Sequence, residues 1–220
     1  MEWQEWNHWY QQIIANLGLD QAKDMEAAKL LRTLEAHRRG DIRDLDRLIR
    51  GKEVIVFGPA PFSDMDFGDA VKISAGSTTD QLVDMDIWPE IIVTDLDGDV
   101  PAQVLANQKG AIAVIHAHGD NIDAIQEWVP RFSPPVIGTT QAEPFEDIYN
   151  FGGFTDGDRS VFMAIHFGAT KIILKGFDWD NPTGKPIVNM ELKKKKLGYA
   201  RQLVNYAAKT YGVPIVQSQD

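Results

Sequence analysis

Three aspartates in five residues close the segment Ile91-Ile92-Val93-Thr94-Asp95-Leu96-Asp97-Gly98-Asp99. The apolar run predicts a buried strand, and Gly98 permits a sharp turn after it. Alternate residues of a strand face the same way, so a continuing strand would bring Asp95, Asp97 and Asp99 to one point. Carboxylates that close repel one another unless positive charge sits between them. An oxygen-seeking divalent cation is the simplest candidate. That chemistry suits an enzyme handling phosphate.

Three further polar clusters follow apolar or glycine-rich runs. His116-Ala117-His118-Gly119-Asp120-Asn121 offers neutral imidazoles and an amide for phosphate oxygens or a ligand ring; the plainer reading of any one histidine is structural. Gly152-Gly153-Phe154-Thr155-Asp156-Gly157-Asp158-Arg159 offers a helix N-terminus, where anions are favoured, and an arginine fork suited to phosphate. Thr155 or Asp156 can equally serve as an ordinary helix cap. Asp156 and Asp158 are suited to a metal or to a donor group. Gly58-Pro59 opens a third loop, which reads first as a turn and otherwise as a ligand cradle. Lys175 and Asp178 end a later apolar run and can contact phosphate and ligand, or lie on the surface.

Known motifs with similar spacing fail on neighbouring residues. A calcium loop starting at Asp95 would place Val100 at its glycine and Ala106 at its last ligand. Asp95-Leu96-Asp97-Gly98 resembles the haloacid dehalogenase phosphatase motif, but Asp99 replaces the threonine and the motif lies mid-chain. His116-Ala117-His118-Gly119-Asp120 resembles the metallo-β-lactamase signature, but Asn121 stands where a histidine belongs, leaving a zinc pair short of ligands. A Walker A loop is excluded: Trp179 occupies its first glycine and Pro186 follows Lys185.

The elements that must position these clusters are legible in the apolar pattern. From residue 53 onward, strand-like runs at 53–57, 71–74, 90–94, 111–115, 136–138, 171–175 and 214–217 alternate with helical patterns. The helical patterns cover 79–86, 101–107, 121–129, 158–167 and 190–211. Alternation of this kind predicts an α/β fold with a doubly wound, mostly parallel sheet and helices on both faces. Such sheets carry their sites at the carboxyl ends of the strands. Residues 1–50 read as an N-terminal helical segment and 51–220 as the catalytic α/β domain. In the first helix, Trp3, Trp6, Tyr10, Ile13, Ile14 and Leu17 form an apolar stripe. It suits packing onto the main domain, an aromatic wall for a flat ligand, or a homodimer contact. Lys193 to Lys196 read as a solvated helix face, or as a lid over phosphates.

Composition narrows the partners. A formal charge of −10 argues against nucleic-acid binding, which needs a basic face. It leaves small phosphorylated ligands open, because a metal can supply the positive charge. Without cysteine there is no disulfide, thiolate metal site or cysteine nucleophile. No apolar run has the length of a membrane helix and the N-terminus lacks a signal pattern, so a cytoplasmic location is expected.

Taken in order, Val93–Asp99, His116–Asn121 and Asn150-Phe151-Gly152-Gly153-Phe154-Thr155-Asp156-Gly157-Asp158-Arg159 resemble the archaeal 6-hydroxymethyl-7,8-dihydropterin pyrophosphokinase family. The likeness runs from about residue 53 to the C-terminus. More distantly, the chain resembles thiamine pyrophosphokinases, with Thr94-Asp95-Leu96-Asp97-Gly98 and Thr155-Asp156 in corresponding places. One departure is Ala75-Gly76-Ser77-Thr78, where the family often has Ala-Asp-Gly. The resemblance implies diphosphoryl transfer from ATP to the hydroxymethyl group of a reduced pterin, with release of AMP. It implies Mg²⁺ held by Asp95 and Asp97, with Asp99 closing the site, and Arg159 steadying developing charge. His116 or His118 would contact phosphate or substrate, within a binding set that includes Gly58, Pro59, Asp120, Asn121, Thr155, Lys175 and Asp178. Asp156 and Asp158 would bind a second metal or the amino-pyrimidine edge of the pterin. A thiamine acceptor, a metal-dependent phosphohydrolase and a non-catalytic nucleotide sensor are the alternatives.

Overall fold

The computed structural model describes residues 1–183 and 189–218. The Gly184-Lys185-Pro186 stretch weighed against a Walker A loop lies outside the described residues. Three helices come first: α1 (Trp3–Leu17), α2 (Gln21–Glu35) and α3 (Ile42–Ile49). Gly18 ends α1 with φ +68°, a backbone that glycine adopts without steric cost. Asp20 and Asp41 then cap α2 and α3 through their side chains.

The alternating part runs β1 (Glu53–Phe57), β2 (Val71–Ala75), α4 (Thr78–Asp84), β3 (Ile91–Thr94), α5 (Val100–Gln108), β4 (Ile112–Ala117) and α6 (Ile122–Trp128). It continues with β5 (Val136–Thr140), β6 (Ile148–Tyr149), α7 (Asp156–His166), β7 (Lys171–Lys175), α8 (Met190–Thr210) and β8 (Ile215–Gln217). The strands form one sheet in the order β6-β5-β4-β3-β2-β1-β7-β8, with every pairing parallel. The pattern had predicted a mostly parallel sheet; among the described residues it is wholly so. The two-residue β6 carries too short an apolar run to announce itself in sequence.

Side-chain alternation along the strands sorts the helices onto two faces. Val54 and Val56, Ile91 and Val93, and Ile112 and Val114 point into a core shared with α1, α3, α7 and α8. Their neighbours point the other way: Ile55 and Phe57 meet Leu82 of α4, Ile92 meets Ala106 of α5, and Ala113 and Ile115 meet Ala28 and Leu31 of α2. The sheet is therefore covered on both sides, as a parallel sheet requires.

The N-terminal helices belong to these same cores. Trp6, Tyr10 and Ile13 of α1 are fully buried, and Trp9 packs edge-on against Tyr206 of α8 at 5.7 Å. Three members of the aromatic stripe are thus covered within the chain, while Trp3, Ile14 and Leu17 are partly buried against the same core. Among the described residues no helix is long and apolar enough to cross a membrane.

Candidate active site

The functional clusters gather where β3, β4 and β5 end and α7 begins. The first differs from the sequence expectation. Strand β3 stops at Thr94, and Leu96 turns the chain with φ +62°. The three aspartates therefore do not share a strand face and do not converge. Thr94 Oγ1 accepts from Leu96 N at 2.9 Å and donates to Gln103 Oε1 at 2.8 Å, while Gln103 Nε2 donates to Asp97 O at 2.9 Å. Gln103 is fully buried and braces the turn from α5. Asp97 is exposed and accepts from Gly98 N; Asp99 caps α5 by accepting from Ala102 N at 3.0 Å. Asp95 alone turns inward. Among the described residues no three histidine, aspartate or glutamate side chains form a ready metal cage.

Asp95 meets groups from the other two clusters. His118 Nε2 lies 3.5 Å from Asp95 Oδ2. His118 Nδ1 accepts from Asp120 N at 3.3 Å, which leaves the ring proton on Nε2, facing the carboxylate. Asn121, expected among the ligand contacts, instead ties the loops together. Its Nδ2 donates to Asp95 O and His116 O, both at 2.8 Å, and its Oδ1 accepts from His118 N at 3.0 Å. His116 is buried, with Nδ1 3.1 Å from Thr139 Oγ1 and Nε2 without a hydrogen-bond partner. Burial first, then the Arg159 charge, holds its pKa well below the usual histidine value, so the ring is neutral.

The start of α7 supplies the opposing side. Arg159 Nη1 donates to Asp156 Oδ1 at 2.9 Å and Nη2 donates to Phe154 O at 2.6 Å, while its buried Nε has no partner. Burial, then the Asp95 charge, pushes the Asp156 carboxyl well up, against the pull of Arg159. Gly76 makes room here. A Cβ on it would lie 2.5 Å from Asp156 Oδ2. Asp158 is separate from all of this. It is fully buried and accepts from Phe154 N, Thr155 N and Thr155 Oγ1 at 2.6, 2.8 and 2.5 Å. Its carboxylate and Thr155 form a capping box, so neither is free for a metal or pterin.

A cavity of about 150 Å³ opens between these groups, bordered by Asp95, His118, Asp120, Phe154 and Arg159. Asp20, Lys23 and Asp24 from the N-terminal helices, Gln141 after β5 and Lys196 of α8 complete its wall. Of these, the sequence pointed only to Lys196, in its reading as part of a lid over phosphates. For the others the one available signal was Asp24, an acidic residue on the apolar face of α2. Lys196 sits 5.9 Å over the Phe154 ring, while Lys193, Lys194 and Lys195 are exposed.

Gly58, Pro59, Lys175 and Asp178 gather elsewhere, at the ends of β1 and β7. Gly58 packs so closely that a Cβ would meet Gly176 O at 2.6 Å, and Pro59 O accepts from Gln81 Nε2. Lys175 is buried and donates to Asp64 O and Oδ2, each at 2.9 Å. Asp178 accepts from Asp180 N, Asn181 N and Asn181 Nδ2, closing its own turn. This turn-forming use departs from the expected ligand contacts, and none of the four residues borders the cavity.

The fold is a parallel α/β sheet whose strand ends gather Asp95, Asp156 and Arg159. A family model described as 6-hydroxymethylpterin diphosphokinase MptE-like matches residues 29–184, and the chain belongs to that family. Relatives named 6-hydroxymethyl-7,8-dihydropterin pyrophosphokinase align over nearly their whole length. The Pyrococcus furiosus protein is 40% identical, covering 94% of both chains. The Methanothermobacter thermautotrophicus protein is 38% identical, covering 98% of this chain and 99% of its own. The Methanocaldococcus jannaschii protein is 36% identical, covering 94% and 95%.

Proposed function

We propose that this protein is a 6-hydroxymethyl-7,8-dihydropterin pyrophosphokinase, transferring the terminal diphosphoryl group of ATP to the pterin hydroxymethyl oxygen and releasing AMP. The observation that carries the reading is the end-to-end similarity to relatives of that name. The site's geometry fits it.

In this transfer the hydroxyl oxygen attacks the β-phosphorus as the bond to the α-phosphate oxygen breaks. Such transition states are loose, so positioning and charge stabilisation do most of the work. Arg159 is anchored by Asp156 and Phe154 O and borders the cavity, where its guanidinium charge would meet a phosphate. The Nε2–H of His118 offers a second donor at the mouth, and Lys23 and Lys196 add positive charge. Asp95 and Asp156 are the residues that would hold Mg²⁺. Two carboxylates that feel each other's charge are an arrangement that a cation relieves. Magnesium commonly takes only one or two carboxylates and completes its shell with water and substrate phosphates, which suits this pair. When bound, it neutralises phosphate oxygens.

The test is to mix protein, ATP, Mg²⁺ and 6-hydroxymethyl-7,8-dihydropterin and follow nucleotides and pterins together. AMP and pterin diphosphate should appear in equal amounts. Formation of ADP, phosphate release without acceptor, or turnover indifferent to the pterin would sink the proposal.

A further inference from the structure

Asp24 lies in the first turn of α2, outside the span of the family model, and is only 2% exposed. Helix formation does not need it, because Asp20 already caps α2. Its three donors are neutral groups from three other segments. Gly119 N donates to Oδ1 at 2.7 Å. Tyr10 Oη and Gln141 Nε2 donate to Oδ2 at 2.6 and 2.8 Å. A buried carboxylate is costly without such partners, and an apolar residue would fill the place more cheaply. Steric fit reinforces the join: a Cβ on Gly119 would lie 2.6 Å from Lys23 Cβ.

The bonds lead directly to the cleft. Gly119 is bonded to His118, whose Nε2 faces Asp95. Gln141 borders the cavity, and its carbonyl accepts from Trp6 Nε1 at 2.7 Å. We infer that Asp24 is a positioning residue for the reaction: it fixes the turn carrying His118, and the Gln141 side chain, through the N-terminal helices. This inference rests on the cleft being the reaction site proposed above.

Asp24→Asn keeps the shape but replaces one acceptor oxygen with a donor. If the amide nitrogen faces Gly119 N, two donors meet and the turn is released. If it faces Gln141, that side chain must turn over. Either outcome displaces a cleft residue. A misplacement on the scale of an ångström can cost about 100-fold, so kcat should fall about 10–100-fold in D24N. The control is Ile13→Val, a buried α1 residue whose side chain makes none of these bonds. It should lower Tm by a few degrees and leave AMP formation unchanged. In wild-type protein the Gly119 amide should be protected from hydrogen exchange, and D24N should lose that protection.

A D24N kcat within about threefold of the I13V control, well short of the expected loss, would overturn the inference. So would a wild-type Gly119 amide that exchanges like an open loop, a measurement that stands even if D24N does not fold. If wild-type protein makes no AMP, the functional reading falls. The exchange experiment needs no turnover and still decides whether Asp24 holds the turn.

Discussion

Asp156 and Asp158 lie two positions apart in the first turn of α7, yet their side chains do different work. Asp158 accepts three hydrogen bonds from the two residues before the helix and is sealed from solvent. Asp156 borders Gly76, pairs with Arg159 and feels the Asp95 charge. Asp156→Asn should therefore fold normally and lose activity by about 100-fold or more, the scale of removing a preorganised charge from a transition state. Asp158→Asn should destabilise by about 1–3 kcal/mol, because one buried donor is left facing an amide nitrogen. Paired Tm and AMP measurements check both. Equal loss of stability in the two variants would contradict the division. Sequence marked both residues as candidates and could not separate them, since a capping box and a ligand carboxylate share residue types. The aspartate triplet shows the same limit. Its composition was visible, but the left-handed turn at Leu96 depends on Thr94 and Gln103, a bond that closes only when α5 packs.

At the scale of elements, the apolar runs located most strands because strands buried on both faces are nearly continuous in Val, Ile and Ala. What they omitted was which strand ends become neighbours. The loops after β1 and β7 flank the reversal in strand order and looked equally promising. There Lys175 is neutralised by Asp64 and Gly58 is closely packed. The cleft lies instead along the ends of β3, β4 and β5, because α2 and α8 close over that side. The lysines of α8 illustrate how helix phase decides a residue's use. Lys194 is exposed, whereas Lys196 reaches over Phe154 at the cavity wall. Lys196→Met should raise the KM for ATP about tenfold, the ~1.4 kcal/mol expected of one charge-assisted contact. Lys194→Met should leave it unchanged. Steady-state kinetics with ATP as the varied substrate would show the contrast, and identical effects from both would reduce Lys196 to part of a general field.

For the whole molecule, the N-terminal helices are part of the fold. Full burial of Trp6, Tyr10 and Ile13 is worth roughly 5–9 kcal/mol, comparable to the entire net stability of a typical domain of about 5–15 kcal/mol. The composition change near residue 50 therefore marks a change of layer, with the cores continuous across it. Helix α2 is fastened to the sheet at Glu35, which gives the molecule's stability a pH dependence. Glu35 Oε1 accepts from Arg39 Nε at 3.1 Å, and Arg39 Nη1 also donates to Asp147 at 2.5 Å. The other oxygen, Oε2, has no hydrogen-bond partner and lies against Gly138, where a Cβ would sit 2.6 Å away. Burial outweighs Arg39 and pushes the carboxyl up to about 7. Since an unfolded glutamate titrates near ~4.3, the folded protein binds this proton more tightly. The resulting stabilisation is complete below about pH 4 and disappears as pH rises through about 7, a change of up to roughly 3 kcal/mol. Glu35→Gln carries no proton to lose. Denaturant unfolding of wild type and E35Q should therefore give stability curves that diverge between about pH 4 and 7, with wild type falling relative to the variant. Parallel curves would mean that Arg39 keeps Glu35 ionised throughout and that α2 is held to the sheet by an ion pair.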